Sequence, residues 1–237
     1  MNTSKRESNE VIQWIMTTCR LSDEQQVNPD DGILNVANGL LNWKTGQLSA
    51  HTPDRLSTIQ LPVHYDSKAT NETVMNFIQS VVPNDTVDTI FEMIGYCLTT
   101  HSRYEKALLL IGSGGNGKST FINMLSGLCG FSNISSVSLH SLESNRFMMA
   151  QLRDKLVNTF SDLPRNQLPN SRNFKGIVSG DLMTAEDKGK PHFSSDPTPN
   201  WFLARMSFQG VRIQRRGFIV VGSSSHLRKS SSLVNQM

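Results

Sequence analysis

The stretch Gly112-Ser113-Gly114-Gly115-Asn116-Gly117-Lys118-Ser119 lies near the middle of the 237-residue chain and fills every fixed position of the pattern G-x-x-x-x-G-K-[ST]. In that pattern, backbone N–H groups surround the phosphates of a nucleoside triphosphate. Glycines supply the left-handed backbone conformations that such a loop needs, and they let the backbone approach the phosphate oxygens closely. The stretch therefore predicts a nucleotide-binding loop.

The residues on either side of this loop predict the strand and the helix that the pattern requires. Residues 106–111 (KALLLI) are apolar after the first, as in a strand buried on both faces. After the loop, apolar residues recur at helical spacing until Gly127 and Gly130 end the pattern. We therefore predict an α/β fold of the P-loop NTPase type. A glycine-rich turn that happens to precede a Lys-Ser pair is the structural alternative.

The polar residues of the motif have separate expected roles. Lys118 would place its ammonium charge between the outer two phosphates, and the Ser119 hydroxyl would ligate a magnesium ion. The first turn of the following helix would add N–H donors and the positive end of the helix dipole. The predicted nucleotide-binding residues are Gly112, Ser113, Gly114, Gly115, Asn116, Gly117, Lys118, Ser119 and Thr120.

Hydrolysis also requires a carboxylate at the end of a neighbouring strand, where it orders the magnesium ion and the attacking water. Residues 156–161 (LVNTFS) are typical of a second core strand, and Asp162 follows them, just before Pro164 stops the strand. We predict that Asp162 is catalytic together with Lys118, and that it ligates magnesium together with Ser119. An ordinary strand-terminating aspartate is the alternative.

The first hundred residues predict a small mixed domain that is mostly helical. Apolar residues recur at helical spacing around Val11, over 74–81, and over 87–98, where Asp85 is the expected cap. Residues 29–53 are typical of short strands or a hairpin, and a turn-rich hairpin is predicted at 176–193. We place an accessory domain at 1–100 and an ATPase core at 101–197.

Composition argues against a membrane or secreted protein. No apolar run approaches membrane-spanning length, and residues 1–10 lack the apolar stretch of a signal peptide. The three cysteines are far apart and form no C-x-x-C pair, which predicts buried free thiols in a reducing compartment. The six histidines show no metal-ligand spacing. We expect a cytoplasmic protein of a bacterial or phage-infected cell.

A series of ordered blocks carries a family resemblance over residues 30–197. The blocks are 32–41 (GILNVANGLL), 61–66 (LPVHYD), 95–98 (GYCL), 114–120 (GGNGKST), 158–164 (NTFSDLP) and 174–181 (FKGIVSGD). Together they resemble the helicase part of the phage, plasmid and poxvirus primase-helicases, within superfamily 3 of the helicases. The resemblance implies an AAA+-like core that uses ATP and Mg²⁺. It also implies a homo-oligomer, usually a hexameric ring, that moves along single-stranded DNA beside a primase domain or protein.

The resemblance also indicates where DNA would be contacted. In such helicases, a hairpin with a basic residue enters the channel of the ring, and the matching stretch is 181–193. This makes Lys188 and Lys190 the predicted DNA contacts. Backbone-directed lysines would give sequence-independent, salt-sensitive binding. A solvated charged turn is the alternative, since Glu186 and Asp187 lie beside them.

The family pattern stops after residue 193. The family would then place a strand that ends in Asn-Glu-x-Pro, and an aromatic-Arg-Arg segment that supplies an arginine to the neighbouring subunit; neither occurs. Residues 198–237 instead contain six basic residues and no acid, so residues 1–197 carry a net charge of −3 within a chain of +3. The global charge therefore does not indicate DNA binding.

A single base lost near codon 198 would explain this departure. Read one base out of frame, codons for residues 198–210 can encode AKLVFSTNELPR, and codons for 215–227 can encode EGFYRRWIIVPF. We therefore expect an aberrant tail at 198–237, in which Arg215 and Arg216 are not an arginine finger. Such a finger contributes several orders of magnitude in rate. We expect a truncated helicase domain of low or no activity, with an exposed sheet edge where the closing strand is lost.

Two other functions stay open at this point. A P-loop kinase for a small molecule would need a lid with several arginines and an acceptor pocket, and residues 131–197 show neither clearly. A non-catalytic nucleotide-binding remnant, or interaction module, needs only the loop itself.

Overall fold

The apolar run before the glycine loop forms a strand that lies next to one edge of a five-stranded sheet. Our computed structural model describes residues 5–18, 26–112, 115–160, 172–186, 193–195, 201–207 and 218–223. The helices within these residues are α1 (Lys5–Thr18), α2 (Glu72–Val81), α3 (Val87–Cys97), α4 (Lys118–Cys129), α5 (Leu139–Ser144) and α6 (Arg172–Ser179). The strands are β1 (Ile33–Val36), β2 (Gly39–Asn42), β3 (Gln47–Ser49), β4 (Lys106–Gly112), β5 (Ile134–Ser135), β6 (Val157–Phe160), β7 (Met183–Ala185), β8 (Phe193–Ser195), β9 (Trp201–Ser207) and β10 (Phe218–Ser223).

The five-stranded sheet has the order β10-β4-β9-β6-β5. Strands β4, β9, β6 and β5 run parallel, whereas β10 pairs with β4 in the antiparallel direction. Leu108 and Leu110 of β4 pack in one apolar cluster with residues of α3 and α4, and Ala107 packs in a second cluster with residues of α5 and α6. Helices therefore cover both faces of the sheet, which confirms the α/β prediction.

The amino-terminal part combines a small antiparallel sheet, in the order β1-β2-β3, with helices α2 and α3. The helix α2 begins at its cap Asn71, whose side chain accepts a hydrogen bond from the backbone N–H of Val74. Ile78 of α2 and Ile90 of α3 belong to the same buried cluster as Leu125 of α4. The amino-terminal part and the five-stranded sheet thus share one hydrophobic core.

Three local predictions differ from the structure. The helix α3 is preceded by a 3-10 turn at Asn84–Thr86, so Thr86 and not Asp85 is its cap, and no side chain there makes a capping hydrogen bond. Gly127 lies inside α4, which ends at Cys129 and has Gly130 as its carboxyl-terminal cap. The hairpin predicted at 176–193 is restricted to β7 and β8, because the first residues of that range belong to α6. In α6, Phe174, Ile177 and Val178 are buried at helical spacing.

The sheet also contains two strands from the segment that was expected to be an aberrant tail. Strand β9 lies between β4 and β6, and β10 pairs with the other edge of β4. The structure therefore differs from the expectation that the sheet lacks its closing strand. A physical reason is that strand pairing requires only a run with β propensity, and WFLARMS and FIVVGS both provide one.

The two cysteines within the described residues are buried free thiols, as predicted. Cys97 ends α3 and Cys129 ends α4, and the Cys129 Sγ lies 3.8 Å from the carbonyl oxygen of Cys97. Burial raises the pKa of Cys97 well above its usual value and raises the pKa of Cys129 to about 12. Cys19 lies outside the described residues.

Candidate functional site

The glycine loop, residues 112–117, connects the carboxyl end of β4 to the first residue of α4. Because β4 has a paired strand on each side, its carboxyl end is fixed in position. The strand-loop-helix order predicted from the sequence is therefore confirmed. Gly112 ends the strand, and Ser113 and Gly114 lie outside the described residues.

The described glycines of the loop have the left-handed backbone that the motif requires. Gly115 has a φ of +72° and Gly117 a φ of +83°. Gly117 is also the cap of α4, and its carbonyl oxygen accepts the N–H of Phe121 at 2.9 Å. Within the described residues, no side-chain hydrogen bond caps this helix start.

Lys118 lies in the first turn of α4 and is only 8 % exposed. Its Nζ donates a hydrogen bond to the side-chain oxygen of Asn116, two residues earlier in the loop. A buried ammonium group is costly unless it is paired, so this contact holds the charge inside the loop. Ser119 and Thr120 follow in the same helical turn and are exposed.

Helix α2 of the amino-terminal part forms a wall against the loop. A Cβ placed on Gly117 would lie 2.7 Å from Cγ1 of Val81 and 3.2 Å from Cε2 of Phe77. By contrast, a Cβ on Gly115 would meet no atom of the described residues within 4 Å. The absence of a side chain at Gly117 therefore serves both the backbone conformation and the close packing of α2 on the loop. The motif alone does not indicate this second requirement.

The second half of the predicted site lies only partly within the described residues. Strand β6 ends at Phe160, two residues before Asp162, and Asp162 lies outside the described residues. Because β6 is parallel to β4, with β9 between them, both strands end at the same edge of the sheet. Phe160 pairs with Ala204, and Ala204 pairs with Leu109, so β6 ends three residues short of the level of Gly112. Two strand spacings across the sheet and three residues along it place the two ends about 14 Å apart. The position of Asp162 as a partner of the glycine loop stays a prediction.

The predicted DNA contacts Lys188 and Lys190 also lie outside the described residues. The strands on either side of them are described: β7 pairs with β8 in the register Ala185 to Phe193. The hairpin that the family resemblance implies therefore has its two strands. Arg215 and Arg216 lie outside the described residues as well.

Asn158 belongs to the family block 158–164, but the sequence analysis did not predict its structural role. It is fully buried on β6, and its side-chain oxygen accepts hydrogen bonds from Ser135 Oγ and from the backbone N–H of Val137, each at 2.8 Å. Its Nδ2 donates to the Val137 carbonyl oxygen at 2.9 Å. The side chain thus fixes the chain that leaves β5 for α5. An asparagine within an apolar strand was the signal that could have indicated it.

Two family models match parts of the chain. Residues 1–83 match the family described as D5 N terminal like, and residues 110–207 match a family of unknown function, DUF5906. The second match begins within β4, includes the glycine loop and α4, and runs to the end of β9. No curated protein matches the chain.

Solved structures provide a second comparison. The A form apo structure of the NrS-1 C terminal region is 11% identical, with a TM-score of 0.56, and the match covers 85% of this chain and 48% of that one. A structure of the same region limited to 305–718 is 14% identical, with a TM-score of 0.48, covering 65% and 37%. A crystal structure of JCV helicase is 19% identical, with a TM-score of 0.38, covering 71% and 50%. The chain thus spans about half the length of the first of these structures.

The first structural similarity shows a shared α/β fold. The D5 N terminal like match over residues 1–83 agrees with the resemblance to the phage and viral primase-helicase family. Among the described residues, no helix combines the length and the apolar character that crossing a membrane would require.

Proposed function

We propose that this chain is the ATPase domain of a replication primase-helicase of the phage and plasmid type, within superfamily 3 of the helicases. The observation that carries this proposal is the glycine loop at the carboxyl end of β4, with left-handed Gly115 and Gly117 and a buried Lys118 at the start of α4. This combination of a parallel strand, left-handed glycines and a buried lysine is typical of a P-loop.

The residues of the loop fit a triphosphate. The backbone N–H groups of residues 112–120 would bind the phosphate oxygens, and Lys118, which Asn116 already orients, would lie against the outer two phosphates. The Ser119 hydroxyl and the Asp162 carboxylate would hold a magnesium ion, which neutralises charge on the phosphates when bound. The packing of Phe77 and Val81 against Gly117 would keep the loop in position before the nucleotide arrives.

The same proposal assigns the remaining partners. Lys188 and Lys190, between β7 and β8, would bind the backbone of single-stranded DNA inside a homo-oligomeric ring. A primase domain or protein would be the functional partner. These assignments rest on the family resemblance and on the positions of the hairpin strands.

We further propose that turnover by this chain is weak. Strand β9 occupies the place between β4 and β6, but its sequence WFLARMS lacks the Asn-Glu-x-Pro segment that the family would place at a strand end. A strand in a sheet tolerates many apolar residues, whereas a sensor requires particular ones. A nucleotide-binding module without turnover is therefore the second candidate. If a single base was lost near codon 198, inserting one base there in the encoding DNA restores both missing segments.

ATPase assays with and without single-stranded DNA distinguish these candidates. A motor domain is expected to hydrolyse ATP slowly, and DNA is expected to stimulate that hydrolysis. Asp162→Asn should retain ATP binding but lose turnover, whereas exposed Asp66→Asn should change neither. ATP binding without turnover in the unmodified chain would support the binding module. Absence of ATP binding would contradict both candidates.

A further inference from the structure

A second concave region of the molecule lies at the amino end of β4. A cavity of about 650 Å³ opens there between the small antiparallel sheet, α3 and the start of β4. Its volume lies within the range typical of small-molecule sites. Its lining is mostly apolar and aromatic, and it includes Trp43, Met93, Tyr96, His101, Tyr104 and Lys106.

This cavity is separate from the glycine loop. Lys106 lines the cavity and begins β4, whereas Gly112 ends the strand at the loop. Six residues of extended chain place these two positions about 20 Å apart. Within the part of the chain that the structure describes, the cavity lining contains no residue of the predicted nucleotide-binding stretch 112–120. A ligand in the cavity would therefore not occupy the phosphate-binding position.

Three aromatic rings form one wall of the cavity. The ring centroids of Tyr96 and Tyr104 lie 4.9 Å apart in an edge-to-face arrangement, and His101 lies 5.2 Å from Tyr96 and 5.6 Å from Tyr104. The Tyr96 hydroxyl accepts the backbone N–H of Tyr104 at 3.0 Å, which fixes the segment that carries the outer ring. Tyr104 is 54 % exposed and Trp43 is 40 % exposed, so both rings offer faces to a ligand.

The same wall contains a polar atom that lacks a partner. His101 is only 8 % exposed, and its Nδ1 has no hydrogen-bond partner among the residues that the structure describes. Burial lowers the pKa of His101, so its ring is neutral near pH 7 and can donate from one nitrogen and accept at the other. An unpaired buried polar atom is costly, and a ligand with a hydrogen-bonding edge would remove that cost.

Cations surround the exposed rings. The Nζ of Lys44 lies 5.6 Å from the Trp43 ring centroid, and Lys106 belongs to the lining itself. Arg103 lies 5.9 Å from the Tyr104 ring centroid, although Asp30 pairs with it at 3.1 Å. Glu92 is the acidic residue of the described lining. Flat apolar rings with lysines beside them suit a ligand with an aromatic ring and a negative group.

We propose that this cavity binds a nucleotide unit, with its base against Trp43 and Tyr104 and hydrogen-bonded to His101, and with its phosphate near Lys44 and Lys106. A base has two apolar faces and a polar edge, and stacking on aromatic side chains does not depend on its sequence. The nucleotide could be free or part of a single strand, since both present the same chemistry. The inference does not depend on the proposed ATPase function, because no described residue belongs to both sites.

Binding of a fluorescein-labelled (dT)12 strand, measured by anisotropy without any triphosphate, tests the site. The assay uses the full chain with Lys118→Met, so that the glycine loop cannot account for the signal. Trp43→Ala and Tyr104→Ala should each weaken binding on the order of tenfold, whereas Tyr104→Phe, which retains the ring, should bind as before. The matched control is Trp14→Ala, since Trp14 is an exposed tryptophan outside the cavity lining.

Photo-crosslinking locates the base directly. A (dT)12 strand with one 5-iodo-deoxyuridine should cross-link to peptides that contain Trp43 or Tyr104. An excess of thymidine monophosphate that prevents this cross-link identifies a site for free nucleotides, and protection by unlabelled (dT)12 alone identifies a single-strand site. Both results support a nucleotide cavity. Cross-links confined to residues 181–193, or unchanged affinity in both alanine variants, would overturn the proposal.

Discussion

The two ends of strand β4 are built in different ways. At the carboxyl end, nine consecutive residues supply the whole candidate phosphate site, and most of its predicted contacts are backbone groups. At the amino end, the cavity takes side chains from β1, from the turn after β2, from α3 and from the segment that follows α3. A site made by consecutive residues leaves a motif in the sequence, whereas a site assembled from separate segments leaves none.

Lys118→Met gives the largest expected contrast between these two ends. It removes the ammonium group from the glycine loop but retains an apolar stem in a nearly buried position. We expect ATP affinity to fall by about 100-fold or more, because a charge-assisted contact to the phosphates is lost. Binding of (dT)12 should not change. Equilibrium binding of a fluorescent ATP analogue measures the first effect.

Two variants control this experiment. Lys68→Ala removes one positive charge from an exposed loop, and it should leave ATP affinity within about twofold. Trp43→Ala should give the opposite pattern from Lys118→Met, with ATP binding retained and (dT)12 binding weakened. If Lys118→Met reduced both affinities equally, the two ends of β4 would not be independent sites.

The sequence predicts features that consecutive residues form, and it does not predict features that separate segments form together. It predicted β4, the loop and α4, because a strand buried on both faces, left-handed glycines and helical spacing are all local signals. It also predicted the strands around residue 40 and the helix α2, but not the cap of α2 at Asn71. It missed the hydrogen bonds of Asn158, since its partners Ser135 and Val137 lie more than 20 residues away in the chain. The strands β9 and β10 were not predicted, because the absence of the family motif from this segment carries no information about the β propensity that forms them.

The glycine loop itself contains one contact that is not local, and Gly117→Ala tests it. Both Gly115 and Gly117 have a positive φ, so alanine at either position costs about 1–2 kcal/mol in backbone conformation. Only at Gly117 would the new Cβ also meet Val81, at 2.7 Å. We expect Gly117→Ala to lower the free energy of unfolding by about 1–3 kcal/mol more than Gly115→Ala does. Denaturant unfolding measures the difference.

A double variant separates the two costs at Gly117. Shortening the neighbour with Val81→Ala should restore part of the stability of Gly117→Ala, but it should restore nothing to Gly115→Ala. Equal losses in the two single glycine variants would show that α2 does not press on the loop. The stability of the glycine loop would then depend only on residues that lie close to it in the sequence.

The smallest expected effect concerns the contact between the helices that serve the two ends of β4. Helix α3 contributes to the cavity and ends at Cys97, and α4 begins at the loop and ends at Cys129. Burial raises the pKa of both thiols above the usual value of 9.0, so the folded protein favours their protonated form. Their contribution to stability is therefore complete below pH 9 and declines as the pH rises further, because the unfolded thiols ionise first.

Between pH 7.5 and pH 9.5, we expect each buried thiol to lower the free energy of unfolding by about 1 kcal/mol. Cys129→Ala should remove its share of this decline. For each variant, the free energy of unfolding at pH 9.5 is compared with that of the same variant at pH 7.5. The cost of the cavity left by alanine is present at both pH values and therefore cancels. An unchanged decline in Cys97→Ala and Cys129→Ala would mean that these thiols titrate normally. Water would then reach the junction of α3 and α4, and the two ends of β4 would not be separated by the closed core that the structure shows there.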